Sequence, residues 1–178
     1  PKGYLGLAPA LYRVLASGAT SNWTLIKVVK LMRALVPHEP RLGRKLSAPL
    51  ARLIDTTGAK SLQYECLLTV ASVMHEDTEL LALAARKLSE FVAADDANLK
   101  FLGLVALAAL QAADARLAPE FVRCGGVAAL ESLARRQPLD AEASECLLHL
   151  LGLLAADRGT AHQLWGGCAD ALLTFVKG

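Results

Sequence analysis

The residue types that could do chemistry are present, but they do not stand at working spacings. A helical zinc site of the metalloprotease kind needs two histidines one turn apart with a glutamate between them, so that both rings face one metal. His75-Glu76 opens that pattern, but position 79 is Glu79, so the second ligand is missing. His38, His149 and His162 have no partners at metal spacing, and His149, inside ECLLHLLGLL, reads as a core or groove histidine bonded to a backbone carbonyl. Gly125-Gly126 and Gly166-Gly167 lack the Lys-Ser/Thr of a phosphate loop and follow no strand. There is no Gly-x-Ser-x-Gly elbow to present a nucleophile. Asp77, Glu79, Asp95 and Asp96 stand at helix starts, where a carboxylate favours the positive end of the dipole. The residues therefore assign no catalytic, cofactor or metal site, and the expectation is a protein that is not an enzyme.

Cys66, Cys124, Cys146 and Cys168 are widely spaced, with no Cys-x-x-Cys pair for zinc or redox work. They read as reduced, mostly buried thiols of a cytosolic protein.

One constellation is basic. Lys27, Lys30 and Arg33 recur every three residues, and Arg41, Arg44 and Lys45 follow at the start of the next helix. Residues 1–60 hold ten Lys/Arg against two acids, Glu39 and Asp55, whereas residues 61–178 hold nine against fifteen. The net +2 thus hides a basic first third and an acidic remainder. Two readings stay open for the six cations: a solvated face, or a docking surface for acidic protein or anionic headgroups. Nucleic acid is disfavoured, because no aromatics interleave with the cations and the rest of the chain is acidic.

The elements that must position these residues are helices. Hydrophobic residues make up 54%, charged residues 20% and aromatics only 5%, a Leu- and Ala-rich balance suited to packed helices and too apolar for disorder. No stretch alternates with period two between turn residues. Instead helices of about 12–20 residues follow one another, with Pro, Gly, Asp or Asn between them. Their expected ranges are about 6–16, 23–36, 40–57, 61–74, 78–94, 97–113, 119–123, 126–136, 141–156 and 160–176. Asn22 is the expected N-cap of the second helix, and Trp23 is expected on its packed surface. Pro37 and Pro40 end that helix, Pro49 predicts a kink or a break in the third, and Gly58 reads as its left-handed C-cap. Gly152, Gly166 and Gly167 mark close packing or kinks.

The second helix has only Thr24, Lys27, Lys30 and Arg33 as polar residues, and the sixth is apolar nearly all round. One helix pair cannot bury such surfaces, but stacked pairs can. Pairs recur about every 35–45 residues, which predicts an all-α fold, an α-solenoid of antiparallel helix pairs of HEAT or armadillo type. A compact bundle is the competing architecture. The longest apolar run, FLGLVALAAL, falls far short of the roughly 20 residues of a membrane span, and no cationic-then-apolar leader opens the chain. The chain reads as soluble, and its start at Pro1 rather than Met suggests a fragment.

The block NWTLIKVVKLMRALVPHEPRLGRKLSAPLARLIDTTGAKSLQYECLLTVASV resembles the trunk of the large adaptins, and within that family the delta branch. Asn22-Trp23, Leu25-Ile26-Lys27, Glu39-Pro40-Arg41-Leu42-Gly43 and Tyr64-Glu65-Cys66 carry the likeness. YLGLAPALYRVL before it and DANLKFLGLVAL after it fit the same register, and Asn98-Leu99-Lys100 with Leu102-Gly103-Leu104 is found in adaptins generally. The likeness covers residues 4–110 of what reads as a single solenoid fragment, 1–178. From residue 111 the chain looks more like an armadillo repeat, with helices meeting at Gly125-Gly126-Val127.

The resemblance implies a non-catalytic coat-adaptor subunit in vesicle-mediated protein transport between Golgi, endosome and lysosome or vacuole. It implies a solenoid scaffold that holds a second large, a medium and a small chain. Recruitment to Golgi or endosomal membranes by an Arf-type GTPase and an anionic surface is implied too, from the cytoplasm and without cofactor or nucleic acid. The alternative is a stand-alone armadillo scaffold that binds a linear peptide, motivated by residues 119–156.

Overall fold

The computed structural model describes residues 2–74, 76–113, 118–123, 125–135, 141–156, 158–162 and 164, and every regular element among them is helical. The order is a 3-10 turn at Lys2–Leu7, α1 (Ala8–Ser17), α2 (Asn22–Leu35), a 3-10 turn at Val36–His38, α3 (Pro40–Thr56), α4 (Lys60–Val73), α5 (Thr78–Ala93), α6 (Ala97–Ala113), α7 (Ala118–Arg123), α8 (Gly126–Arg135) and α9 (Ala141–Ala155). Of the expected last helix, 160–176, positions beyond 164 lie outside the described residues, as do Cys124, Cys168, Gly166 and Gly167. The chain forms two compact units, Pro1–Ala84 and Ala85–Gly178.

In the first unit, punctuation residues set the helix limits. Gly18 takes the left-handed conformation (φ 62°) that closes α1, where a side chain would be strained. Ser21, not Asn22, caps α2: its hydroxyl accepts from the Thr24 N–H at 3.3 Å, so the helix begins one residue before the expected start. Pro37 turns the chain through a single 3-10 turn, and Pro40 occupies the first position of α3, where its missing N–H is harmless. The Glu39 carboxylate accepts from the Arg41 N–H at 3.3 Å.

Pro49 is buried within α3, and the helix is continuous across it rather than divided in two. Gly58 is not its left-handed cap. The C-cap is Thr57 in extended conformation, and its hydroxyl accepts from the Ala59 N–H at 3.2 Å. That side chain supplies the turn, so a positive φ is not needed.

Stacking in this unit follows a two-helix period. α1 packs on α2 and α3 on α4, while α2 also lies against α4 and α1 against α3. Leu25, Val28, Val29, Met32 and Leu35 of α2 are buried. The most enclosed helix is α4, touched from two sides, with Leu62, Cys66, Leu67, Val70 and Ala71 each 0 or 1% exposed. Three of its polar residues, Gln63, Glu65 and Thr69, are buried too, and they have partners. Gln63 Nε2 donates to the Ile54 carbonyl at 2.7 Å, and Thr69 Oγ1 donates to the Glu65 carbonyl at 2.8 Å. Arg52 ties α3 to the end of α1, donating to the Ala16 carbonyl at 2.8 Å.

In the second unit, Leu88, Phe91 and Val92 of α5 are buried, as are Leu104, Leu107 and Leu110 of α6. Asp96 caps α6, accepting from the Leu99 N–H at 2.9 Å, as Asp77 of the first unit caps the start of α5 by accepting from the Leu80 N–H at 3.0 Å. Gly125 (φ 80°) makes the corner between the short α7 and α8. Here α6 packs on α9, with the α7–α8 pair between them in sequence. Like-placed helices are thus three elements apart, against two in the first unit, which is the difference between three-helix and two-helix repeats. Gly152 of α9 has open space around it, so it marks no close packing.

Candidate docking site

The six sequence-flagged cations divide into two groups. Arg33 Nη1 lies 2.8 Å from Glu65 Oε1, and Lys30 Nζ lies 3.4 Å from Glu65 Oε2. The Glu65 side chain is 6% exposed, Arg33 24% and Lys30 57%, so a carboxylate on α4 sits under the polar stripe of α2. Arg33 Nη1 and Glu65 Oε1 are off the line of an N–H bond, which makes the contact an ion pair more than an aligned hydrogen bond. A buried carboxylate needs such partners, because its solvation is lost and must be replaced by nearby positive charge.

The field of Glu65 is felt by its neighbours. Burial foremost, and then Glu65, raises the Tyr64 hydroxyl above its ordinary 10.0, against a lowering influence of Arg33. Burial again, and then Glu65, pushes the Cys66 thiol from 9.0 up to about 12. Cys66 is a protonated core thiol, and Cys146 is half-buried.

The other four cations are outward. Lys27, Arg41, Arg44 and Lys45 are exposed, and none makes a side-chain ion pair or hydrogen bond among the described residues. Arg41, Arg44 and Lys45 stand three and four residues apart in the first turns of α3 and so share one helix face.

Glu65 was legible only in part. It is the one acid between Asp55 and Glu76, in a helix whose other charged residue is Lys60 at its start, and opposite a helix with a cation every third residue. That isolation is the signal, but from the sequence alone it reads as a polar edge of α4. His38, His149 and His162 are exposed, and His75 lies outside the described residues. The core reading of His149 is corrected: the buried stripe of α9 is Leu147, Leu150 and Leu154, and position 149 falls off it. Trp23 is likewise corrected, being 74% exposed in the first turn of α2. Among the described residues no three His, Cys, Asp or Glu side chains converge as a metal site, and no helix is long and apolar enough to cross a membrane.

The adaptin N-terminal region family matches residues 1–152. The chain belongs to that family. Curated relatives are AP-3 complex delta subunits: the one from Dictyostelium discoideum is 48% identical over 107 residues, and delta-1 from Bos taurus 46% over 114. The Arabidopsis thaliana subunit is 45% identical over 107 residues. Each match covers 60% of this chain, and 9, 9 and 12% of the respective relatives. This adaptin therefore spans about a tenth of the length of those relatives.

Among solved structures, a designed armadillo repeat protein in complex with a (KR)4 peptide superposes with TM-score 0.70 at 13% identity, over 96% of this chain and 74% of that one. An engineered protein superposes with TM-score 0.66 at 16% identity, over 92 and 71%. At such identities the likeness concerns the fold alone. The fold is all-α, of the armadillo/HEAT-like solenoid class.

Proposed function

We propose that this adaptin is a trunk segment of a non-catalytic, delta-type adaptor-complex subunit. It acts as a scaffold for a second large, a medium and a small chain in vesicle-mediated protein transport. The observation that carries the reading is the family match over 1–152 together with the likeness to delta subunits of AP-3 complexes from three organisms. On this reading the parent works in the cytoplasm, peripheral to Golgi and endosomal membranes, on routes toward the lysosome or vacuole. An Arf-type GTPase and an anionic surface recruit it. Residues 4–110 and 111–178 then form one continuous trunk segment.

The exposed cations support the recruitment part. Lys27, Arg41, Arg44 and Lys45 are outward and unpaired among the described residues, so they can meet anionic headgroups or an acidic partner. Lys30 and Arg33 belong to the same basic stripe, but their contact with Glu65 gives them a structural part as well.

Affinity capture of the tagged full-length parent from cells tests the first claim. Recovery of small, medium and second large adaptor chains is expected, and recovery of none of them overturns it. Reversal of Lys27, Arg41, Arg44 and Lys45 to Glu tests the second, because it leaves the Glu65 contacts in place. Helical circular dichroism should persist while recruitment to membranes falls; undiminished recruitment at physiological salt returns the four residues to solubility alone.

A further inference from the structure

A groove of ≈ 950 Å³ in the first unit is not accounted for by the stacking of its helices. One side comes from the turn after α2 and the first turns of α3, the other from the end of α4 and the start of α5. Its apolar floor includes Val36 and Met74, both buried, and it opens where Gly43 has no side chain. A Cβ at Gly43 would meet Val36 Cγ1 at 3.6 Å and Met74 Sδ at 3.7 Å, which is ordinary contact. The glycine is therefore not required by helix packing there, and any longer side chain would fill the floor.

The rim carries charge of both signs. Arg44 stands on the α3 side, Glu76 and Glu79 on the α5 side, all exposed. Asp77 is occupied in capping Leu80, but Arg44, Glu76 and Glu79 make no side-chain ion pair or hydrogen bond among the described residues. Opposite charges thus line one groove without neutralising each other, over a floor with apolar surface to cover.

From this arrangement we infer that the groove binds a short extended peptide with an apolar side chain between an acidic and a basic residue. The apolar side chain seats over Gly43 between Val36 and Met74. The acidic residue meets Arg44, and the Lys or Arg meets Glu76 and Glu79. Alternate residues of an extended strand lie about 6.6–6.8 Å apart, which lets three functional groups be read by one groove. The volume is at the upper end for a single-ligand site, and most of the rim is exposed, which suits a chain passing through rather than an enclosed small molecule. A lipid surface or a nucleic acid is disfavoured by Glu76 and Glu79. This inference does not rest on the adaptor-subunit reading, and capture of sister subunits neither supports nor opposes it.

The test is fluorescence anisotropy with the full-length protein and a labelled heptapeptide GEGLGKG. Controls replace its Leu by Ser, its Glu by Lys, or its Lys by Glu. Saturable binding on the order of 100 μM is expected for the parent peptide, with each control weaker by about tenfold. Glu76→Lys with Glu79→Lys should weaken the parent peptide about tenfold, and so should Arg44→Glu. Gly43→Leu should abolish binding by filling the floor, while the surface charge reversals serve if that variant fails to fold. Absence of saturable binding, equal binding of the controls, or unchanged affinity in the charge-reversed proteins overturns the proposal. Self-association in sedimentation that is lost in Glu76→Lys/Glu79→Lys would instead assign the groove to a second copy.

Discussion

Arg33 on α2 and Glu65 on α4 meet at 2.8 Å across the most enclosed helix pair of the first unit, with Glu65 only 6% exposed. The pair explains how a helix with a cation every third residue can lie against a helix that is buried on nearly every side. It also makes the consequences of substitution asymmetric, because the two partners differ in access to water.

Arg33→Ala leaves a buried carboxylate with only Lys30, at 3.4 Å, and should destabilise by about 3–5 kcal/mol in urea unfolding. Glu65→Gln leaves Arg33 and Lys30, both of which retain water, and should cost less, about 1–3 kcal/mol. Arg33→Met with Glu65→Met should recover most of the loss, since well-packed apolar replacements of a buried pair are often neutral. A double variant as unstable as Arg33→Ala would show that packing rather than the ion pair holds α2 on α4.

Stability at alkaline pH should report Cys66. Its folded thiol is raised to about 12 from 9.0, by burial and then by Glu65, and Tyr64 is raised above 10.0 from the same two causes. A raised folded value means that the folded state holds its proton more tightly. The stability linked to Cys66 is therefore full below about pH 9 and is lost as pH rises toward about 12. Urea midpoints should fall between pH 8.5 and 10.5, and Cys66→Ala should show a shallower fall whatever its absolute stability. Equal slopes would remove Cys66 as the titrating group. Native protein should also alkylate at Cys66 only after unfolding.

Helix existence and order were legible because Pro, Gly and Asp act locally: Gly18, Pro40, Asp77, Asp96 and Gly125 each end or begin an element through their own backbone or side-chain chemistry. Burial was less legible. Glu65, Gln63 and Thr69 look like surface residues, yet neighbours from other elements or their own helix satisfy them. Trp23 looks like core, yet its place in the first turn of α2 leaves it outside the stripe of Leu25, Val28, Val29 and Met32. The division of the six cations follows from the same fact, because only tertiary placement brings Glu65 under Lys30 and Arg33 and not under Lys27.

Trp23→Ala should accordingly change stability by no more than about 0.5 kcal/mol, as for surface substitutions, whereas Leu25→Ala should cost about 2–5 kcal/mol. Ser21→Ala should cost about 1 kcal/mol through loss of the cap, and Asn22→Ala only a few tenths. Thermal melts of the four variants check the order. A Trp23→Ala protein as unstable as Leu25→Ala would place the indole in the core after all.

Two helix-interior glycines separate propensity from packing. Both should gain roughly 0.5–1 kcal/mol from alanine on propensity alone. At Gly152 the new methyl meets open space, so Gly152→Ala should realise that gain. At Gly103 a Cβ would lie 3.0 Å from Phe91 Cβ and Val92 Cγ2 and 3.1 Å from the Val92 backbone nitrogen. The Phe91 Cβ and the Val92 nitrogen are fixed by the backbone of α5, so a rotation of the Val92 side chain does not relieve the contact and α5 and α6 must separate. Overpacking of this kind typically costs about 1–3 kcal/mol, which exceeds the propensity gain. Gly103→Ala should therefore melt lower than the parent and Gly152→Ala higher; a stabilised Gly103→Ala would show that α5 and α6 have slack where they now touch.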